Sequence, residues 1–204
     1  MRVFLFRHGE TDHNRNRMTL GREDIALNDT GHRQGQAIAA AFAGAKFSAI
    51  YASPLRRARD TAAPVAERLG LVVTADEGLI EMDVGETGSL SGEELRARYG
   101  DFLAAWTGAD AADLQLPGGG ESLRQVQERA WAAIERIAGE HHDADVAVFT
   151  HNFVALTLLC RALSLDLRSF RRVRQDLAAL SVIVLTETTV GLERMNDRCH
   201  LAGL

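Results

Sequence analysis

Cysteine is scarce in this sequence of 204 residues, and a net excess of positive charge is absent. The two cysteines, Cys160 and Cys199, lie far apart, without the dense spacing of a disulfide-rich protein, so we expect a reducing, cytoplasmic environment. The formal net charge of -5 argues against a nucleic-acid-binding protein, because affinity for phosphate backbones comes mainly from excess lysine and arginine. A single small anionic substrate needs only a local cluster of cations.

Long hydrophobic runs are absent from the start of the chain, and we find no internal repeat or low-complexity tract. The first apolar run, residues 3–6, has four residues before charge returns, which is too short for a signal sequence or a membrane span. We therefore expect neither export nor a membrane partner. With 46% hydrophobic and 25% charged residues, the composition is typical of a folded globular protein, and the length suits one domain.

The hydrophobic pattern alternates between short strands and helices. Apolar runs typical of strands occupy residues 3–6, 47–52, 71–74, 146–150, 180–185 and 190–195, and helical periodicity covers about 30–43, 53–69, 91–106, 122–141 and 153–163. The last two strands flank a short polar turn and are predicted to form a hairpin. The alternation predicts an α/β fold with a mostly parallel sheet covered on both faces.

Residues 86–116 interrupt this alternation and are predicted to be a lid insertion in the single domain 1–204. Insertions of this kind usually lie over a crevice, so we expect this one to determine the choice of substrate. Phe102 and Trp106 are four residues apart on a predicted helix. They either present one apolar face to the substrate or pack into the insertion's own core.

Ser53 and Pro54 are predicted to start a helix, with the serine as N-cap and the proline at the first helical position. Arg56, Arg57 and Arg59 then crowd the first turn, where the helix macrodipole favours anions over cations. For Arg56 and Arg59 we favour a solvated basic face. We assign Arg57 to an anion-binding site.

Two histidines each follow directly after a predicted strand. Arg7 and His8 come at the end of the first strand, and His151 comes at the end of the fourth. Ligands of open parallel sheets bind at the carboxyl ends of the strands. If these two strands are neighbours, His8 and His151 face one crevice, whereas either histidine alone is compatible with a structural role.

These residue types suit phosphoryl transfer, which needs a nucleophile, charge stabilisation on the phosphoryl oxygens and a proton donor. The neutral imidazole of His8 can attack phosphorus, while Arg7, Arg57 and His151 would hold the oxygens. Nearby guanidinium groups also disfavour protonation of the nucleophile.

The proton donor is expected to be a carboxyl group close to this cluster, with a pKa raised toward the working pH. Glu81, Asp83 and Glu86 are the loop candidates. Each of the three could also be an ordinary solvated carboxylate, and their spacing alone does not show which of them is the acid.

Five motifs occur in order along the chain: Leu5-Phe-Arg-His-Gly-Glu-Thr11 with Asn14, Ser53-Pro-Leu-Arg-Arg-Ala-Arg-Asp-Thr-Ala62, Leu79-Ile-Glu-Met-Asp-Val-Gly85, Gly119-Gly-Glu-Ser122 and Thr150-His151. Together they resemble the histidine phosphatase family of the phosphoglycerate mutase-like superfamily. The resemblance implies a three-layer α/β/α sandwich with a six-stranded, mostly parallel mixed sheet whose fifth strand is antiparallel. It also implies that His8 is phosphorylated and then hydrolysed, with Glu81 as the proton donor. The residues that it implies hold the phosphate are Arg7, Asn14, Arg57 and His151.

The chain departs from the family pattern at two places that bear on the site. Many relatives read Gly-x-Trp-Glu-Gly after the acid, whereas Gly85-Glu-Thr-Gly-Ser89 stands here, so Glu86 remains a rival for the acid. Relatives often carry two glycines after the second histidine, but this chain has Asn152 and Phe153. That change would narrow the pocket or alter a backbone contact to phosphate, and Asn152 is therefore a further phosphate-binding candidate.

The predicted function is a metal-independent phosphomonoesterase of the histidine acid phosphatase type, acting on a small phosphorylated metabolite. A cofactor-dependent phosphoglycerate mutase is the alternative enzyme, but its acid loop usually reads Glu-Arg-x-Tyr-Gly. The matching stretch here, Glu81-Met-Asp-Val-Gly85, lacks the arginine and tyrosine that serve the substrate carboxylate. A non-catalytic phosphate-binding module is a third hypothesis. The joint presence of a nucleophile, phosphate-binding residues and an acid argues against it.

No cofactor and no metal are expected. The pairs His141-His142 and Cys199-His200 lack partners at ligand spacing, and we interpret them as surface residues. The expected partner is the small substrate, and a homodimer is left open.

Overall fold

A six-stranded mixed sheet runs through the centre of the protein in the computed structural model, which describes residues 1–108 and 111–204. Its strands are β1 (Arg2–Arg7), β2 (Phe47–Ala52), β3 (Val73–Ala75), β4 (Asp145–Thr150), β5 (Leu180–Leu185) and β6 (Val190–Asp197). They lie in the order β3-β2-β4-β1-β5-β6, and among the described strands β5 alone runs in the direction opposite to the others. The predicted mixed sheet, its antiparallel fifth strand and the closing hairpin are confirmed.

Helices cover both faces of the sheet, which gives the predicted three layers. The helices are α1 (Asp12–Arg15), α2 (Asp29–Ala41), α3 (Arg56–Leu69), α4 (Gly92–Ala105), α5 (Leu123–Glu140) and α6 (Asn152–Ala162). Successive side chains of a strand point to opposite faces, so Phe6 of β1 packs with α2 and α3 while Leu5 packs with α5 and α6. Within the described residues, no helix combines the length and the hydropathy that crossing a membrane requires.

Two local predictions are wrong. The strand expected at 71–74 is observed at Val73–Ala75, because α3 ends at the left-handed Gly70 and the chain needs two residues to reach the sheet. Ser53 is not the N-cap of α3, which begins at Arg56 after an extended Leu55 that makes no side-chain cap. The hydroxyl of Ser53 is instead hydrogen-bonded to a histidine ring in the site described below.

The insertion predicted at 86–116 contains α4, and residues 109 and 110 of it lie outside the described residues. Trp106 ends α4 and is buried, with its ring centroid 5.8 Å from that of Phe102. It also lies 5.8 Å from Phe153 and 5.5 Å from Phe170, which belong to the main body of the domain. Trp106 therefore attaches the insertion to α6. This differs from both predicted arrangements, which placed Phe102 and Trp106 either against the substrate or in the insertion's own core.

The loop after β1 packs against the start of α2 through two glycines. A Cβ added to Gly31 would lie 2.2 Å from the carbonyl oxygen of Glu10, and one added to Gly9 would lie 2.7 Å from the carbonyl oxygen of Gly31. No side chain fits between backbones at these distances. The segment that carries His8 can therefore lie close to α2 only with glycine at both positions.

We predict that Gly31→Ala lowers the free energy of unfolding by about 1–3 kcal/mol, because the new methyl group must displace backbone atoms of the loop. Gly139→Ala in α5 is the matched control, since a Cβ there meets nothing within 4 Å. Alanine favours a helix by about 1 kcal/mol over glycine, so the control should be neutral or slightly stabilised. Urea denaturation of both variants measures the difference, and equal stability would contradict the close packing.

Candidate active site

Two buried histidines meet at the carboxyl ends of β1 and β4. The strands are parallel neighbours in which Arg7 pairs with Thr150, so His8 and His151 are the next residues on each strand. Their ring centroids are 5.1 Å apart, and the backbone N–H of His8 donates to the carbonyl oxygen of Thr150 at 2.9 Å. The topology thus brings together two residues that are far apart in sequence.

The ring of His8 is held in one tautomer. Its Nδ1 lies 2.7 Å from the carbonyl oxygen of Gly9, which can only accept, so Nδ1 carries the proton and Nε2 keeps a free lone pair. Burial lowers the pKa of His8 well below its ordinary value of 6.5, and the charges of Arg57 and Arg7 lower it further. The ring is therefore a neutral nucleophile across the physiological pH range.

Two guanidinium groups lie beside this ring. Arg57 is fully buried, and its terminal nitrogens donate to the carbonyl oxygens of Glu23 and Gly21, both at 2.7 Å. One terminal N–H group of Arg7 donates a hydrogen bond to the carbonyl oxygen of Gln175 at 2.9 Å. Burial lowers the pKa of Arg7 to about 10 and also lowers that of Arg57, yet at neutral pH Arg7 remains a cation.

Both arginines keep a buried Nε without a hydrogen-bond partner in the part of the chain that the structure describes. A buried N–H donor that lacks an acceptor on a desolvated cation costs free energy. An anion placed between the two guanidinium groups would accept hydrogen bonds from these donors. The pair of Arg7 and Arg57 is therefore suited to hold a phosphate.

His151 is fully buried on the other side of this site. Its Nε2 lies 2.6 Å from the hydroxyl oxygen of Ser53, and its Nδ1 has no partner among the described residues. Burial and then the charge of Arg57 lower the pKa of His151 well below its ordinary value. Sequence reasoning assigned Ser53 to a helix cap and missed this role, although the residue begins the second motif and directly follows β2.

Glu81 lies in the same buried cluster. Its Oε1 accepts from the backbone N–H of Met82 at 2.8 Å and its Oε2 from that of Phe153 at 3.4 Å. Burial raises the pKa of Glu81 above that of an ordinary carboxyl, although these hydrogen bonds and the charges of Arg57 and Arg7 oppose the shift. The protonated form is therefore favoured here relative to a solvated glutamate.

The other two carboxyl candidates point elsewhere. Glu86 is exposed and accepts a hydrogen bond from the hydroxyl of Tyr99 at 3.1 Å. Asp83 is half-buried and accepts from the backbone N–H of Gly85 at 2.9 Å. Of the three candidates, Glu81 is the one that the structure buries beside the arginines.

A second layer of charged side chains holds the loop of Glu81 by its backbone. Arg129 and Arg22 both donate to the carbonyl oxygen of Glu81, each at 3.1 Å. Glu121 accepts from Arg129 at 2.8 Å and from the backbone N–H of Asp83 at 2.9 Å. Glu121 thus connects the motif Gly119-Gly-Glu-Ser122 with the site. Arg22 and Arg129 lie outside the five motifs, and nothing in the sequence pointed to them.

The remaining sequence candidates lie around this cluster. Asn14 accepts from the backbone N–H of Thr11 at 3.1 Å and lines, together with Arg7, a cavity of about 530 Å³. Asn152 is the first residue of α6 and lines a second cavity of about 340 Å³, which also includes Arg7. Arg56 and Arg59 are exposed, and Arg56 lies 3.2 Å from Asp60.

Within the described residues, no group of three or more histidine, cysteine or acidic side chains is arranged to hold a metal ion. The expectation that these histidines are surface residues is corrected for His141 and His200. His200 is half-buried, and its Nε2 lies 2.8 Å from the carbonyl oxygen of Ala178. His141 is half-buried rather than a free surface residue, because it ends α5 against β2 and lies 2.9 Å from the hydroxyl oxygen of Tyr51.

The chain is similar to known phosphatases over nearly its whole length. A family model described as the histidine phosphatase superfamily (branch 1) matches residues 3–198. Phosphoserine phosphatase 1 of Hydrogenobacter thermophilus is 29% identical over 98% of this chain and 94% of that protein. A metal-independent phosphoserine phosphatase of Arabidopsis thaliana is 30% identical over 99% of this chain and 84% of that protein.

A solved structure gives the same result for the fold. Mycobacterial glucosyl-3-phosphoglycerate phosphatase, in a complex with VO3, superposes with a TM-score of 0.88 and 27% identity. The match covers 97% of this chain and 99% of that chain.

The buried, neutral His151 generates a prediction about stability and pH. Its pKa is lowered on folding, so as the pH falls below about 6.5 the unfolded chain binds a proton that the folded chain does not. The resulting stability is present above pH 6.5 and is lost as the pH falls, by at most about 1.4 kcal/mol per pH unit. We predict that His151→Gln flattens the pH dependence of unfolding by up to this slope.

Urea denaturation at several pH values in this window measures the slope for the wild type and the variant. His142→Gln is the matched control, because His142 is exposed. A slope unchanged by His151→Gln, or changed equally by the control, would contradict the buried neutral ring.

Proposed function

Because the chain belongs to the histidine phosphatase superfamily, we propose that it is a phosphatase that hydrolyses phosphate monoesters of small metabolites through a phosphohistidine on His8. The family predicted from the five sequence motifs is thereby confirmed. The observation that carries the proposal is a neutral imidazole with a free Nε2 beside two buried guanidinium groups with unmet donors. Relatives named as phosphoserine phosphatases support it.

In the first step, Nε2 of His8 attacks phosphorus in line with the leaving oxygen. The N–P bond forms as the P–O bond to the alcohol breaks, and the alcohol oxygen takes the proton of Glu81. Arg7 and Arg57 donate to the phosphoryl oxygens and stabilise the charge that is spread over them. His151, with its free Nδ1, completes the site around these oxygens.

In the second step, water attacks the phosphohistidine. The O–P bond forms as the N–P bond breaks, and the carboxylate of Glu81 takes a proton from the attacking water. Inorganic phosphate leaves, and His8 and Glu81 return to their starting states. A carboxyl group that first donates and then accepts a proton needs a pKa closer to neutrality than usual, which is the direction that burial gives Glu81.

The proposal needs no metal ion, because two guanidinium groups supply the positive charge that a metal would otherwise bring, and the neutral imidazole of His151 adds a polar contact. The relative from Arabidopsis thaliana that is named a metal-independent phosphoserine phosphatase supports a mechanism without a metal ion.

Hydrolysis is favoured over a mutase reaction by the residues that follow Glu81. The arginine and tyrosine that serve a substrate carboxylate in mutases correspond here to Met82 and Val84, which are both buried and apolar. These positions therefore offer no donor that would retain a phosphoglycerate for re-phosphorylation.

We predict that His8→Ala abolishes the phosphoenzyme and lowers turnover by more than about a hundredfold, because removal of a nucleophile that forms a covalent intermediate leaves only binding and charge stabilisation. The assay mixes enzyme with para-nitrophenyl phosphate in the presence of a chelator and follows acid-labile, base-stable phosphate on the protein. His32→Ala, at an exposed position of α2, is the matched control and should behave as the wild type.

Label on a serine or an aspartate would contradict the nucleophile. Loss of the wild-type signal in chelator, with recovery on addition of zinc or manganese, would contradict the metal-free mechanism. Isomerisation of 3-phosphoglycerate faster than release of phosphate would favour the mutase.

We predict that Glu81→Gln slows phosphorylation of His8 by an alkyl phosphate by about 10²–10⁴, the usual contribution of a general acid. The rate of phosphorylation by para-nitrophenyl phosphate should fall far less, since para-nitrophenolate leaves with little need of a proton. Single-turnover rates with both esters measure the effect without the water step. Glu86→Gln is the matched control, and equal losses for the two esters in Glu81→Gln would remove Glu81 from the role of leaving-group acid.

A further inference from the structure

The position of Glu81 indicates on which side the alcohol part of the substrate lies. In an in-line reaction the leaving oxygen is opposite Nε2 of His8 and within hydrogen-bond reach of the acid. The Oε2 atom of Glu81 accepts from the backbone N–H of Phe153, so the acid lies against the start of α6. Asn152 and Phe153, the first residues of that helix, line the cavity of about 340 Å³ that also contains Arg7.

This cavity, which we term the α6 pocket, carries an excess of positive charge. Besides Arg7 it is lined by Arg171 and Arg174, which are both exposed and which form no ion pair with a carboxylate among the residues that the structure describes. Asp176 also lies on its wall, but that carboxylate is engaged by Arg198 at 3.3 Å. In a chain with a net charge of -5, two uncompensated guanidinium groups at one pocket indicate that the pocket receives an anion.

Aromatic rings fix the position of one of these groups. The guanidinium carbon of Arg171 lies 5.2 Å from the ring centroid of Trp106 and 5.0 Å from that of Phe170. Stacking of a guanidinium on a ring leaves its N–H donors at the edge free for a carboxylate or a phosphate. Trp106 thus connects the insertion with the charged wall of the pocket.

We propose that the α6 pocket binds the alcohol part of the substrate and that Arg171 and Arg174 recognise a second anionic group on it. The preferred substrates are then phosphate monoesters of alcohols that carry a carboxylate or another anion, rather than neutral alcohols. The inference rests on the proposed phosphatase function, because it takes the leaving oxygen to lie beside Glu81.

The larger cavity on the other side of Arg7 fits this part of the substrate less well. Its wall comes from the loop after β1, α1, α2 and the segments around Asp176 and Arg198. It carries the carboxylates of Glu10 and Asp176 as well as the guanidinium groups of Arg7, Arg17 and Arg198, so the position of the wall and not its charge decides the comparison. None of the described residues on its wall belongs to the loop of Glu81 or to the start of α6. An alcohol held there would leave its oxygen away from the proton donor.

The test compares 4-carboxyphenyl phosphate with 4-carbamoylphenyl phosphate, which match in shape and differ in charge. We expect the wild type to favour the carboxylate ester in kcat/KM by about tenfold or more, since hydrogen bonds to charged groups are the stronger ones. Arg171→Gln and Arg174→Gln should each reduce kcat/KM for that ester by about five- to tenfold, mainly through KM. The carbamoyl ester should change by less than about twofold, because its neutral amide does not engage the charge.

Arg172→Gln is the control, because Arg172 is exposed on the same turn and does not line the α6 pocket. An equal rate for the two esters in the wild type, or a parallel loss for both in the variants, overturns the assignment of the pocket. If the wild type forms phosphohistidine from para-nitrophenyl phosphate, such a result leaves the proposed function intact. If no ester phosphorylates His8, the proposed function fails, and the assignment of the pocket fails with it.

Discussion

Arg57 carries its positive charge out of contact with water, and within residues 1–108 and 111–204 no carboxylate forms an ion pair with it. Removal of a cation from water costs several kcal/mol unless polar groups replace the lost hydration. Here the carbonyl oxygens of Gly21 and Glu23 do so, and the segment between α1 and α2 is therefore shaped by the guanidinium. Burial is the main reason that the pKa values of His8 and His151 are low, and the charge of Arg57 lowers both further, so this one buried cation acts on the phosphate site and on the nucleophile.

The surroundings of Glu81 meet two opposing demands. A proton donor must stay away from hydrogen bonds that stabilise its charged form, yet its position must be precise to a fraction of an ångström. The structure meets both demands in part: two backbone N–H groups donate to the carboxyl group, but the arginines Arg22 and Arg129 bind the backbone carbonyl of Glu81 and not its carboxyl group. Glu121 pairs with both arginines, and Asp83 lies 3.9 Å from Arg22, so two carboxylates offset the two positive charges of this support.

Sequence reasoning found the parts of the site that local patterns encode. A strand that ends in a histidine is visible in six or seven residues, and two such strands predicted the facing pair of His8 and His151. The partner of His151 was not visible in this way, because Ser53 is 98 residues away and its pattern equally suits a helix cap. Arg129 contacts the acid loop from 48 residues away and looks, in sequence, like any exposed position of an amphipathic helix. Contacts of this kind arise only when the layers pack.

Arginine acts in two different environments in this protein, and the difference separates recognition of the phosphate from recognition of the rest of the substrate. Around Arg57 water is excluded, so its interaction with a phosphoryl group is only weakly screened by salt. Arg171 and Arg174 are exposed, and an anion beside them is screened over a Debye length of about 8 Å at physiological ionic strength. Added salt therefore weakens the contact in the α6 pocket before it weakens the phosphate site. The buried arginine therefore holds the phosphate with little dependence on salt, whereas the exposed pair acts on the rest of the substrate in a salt-dependent way.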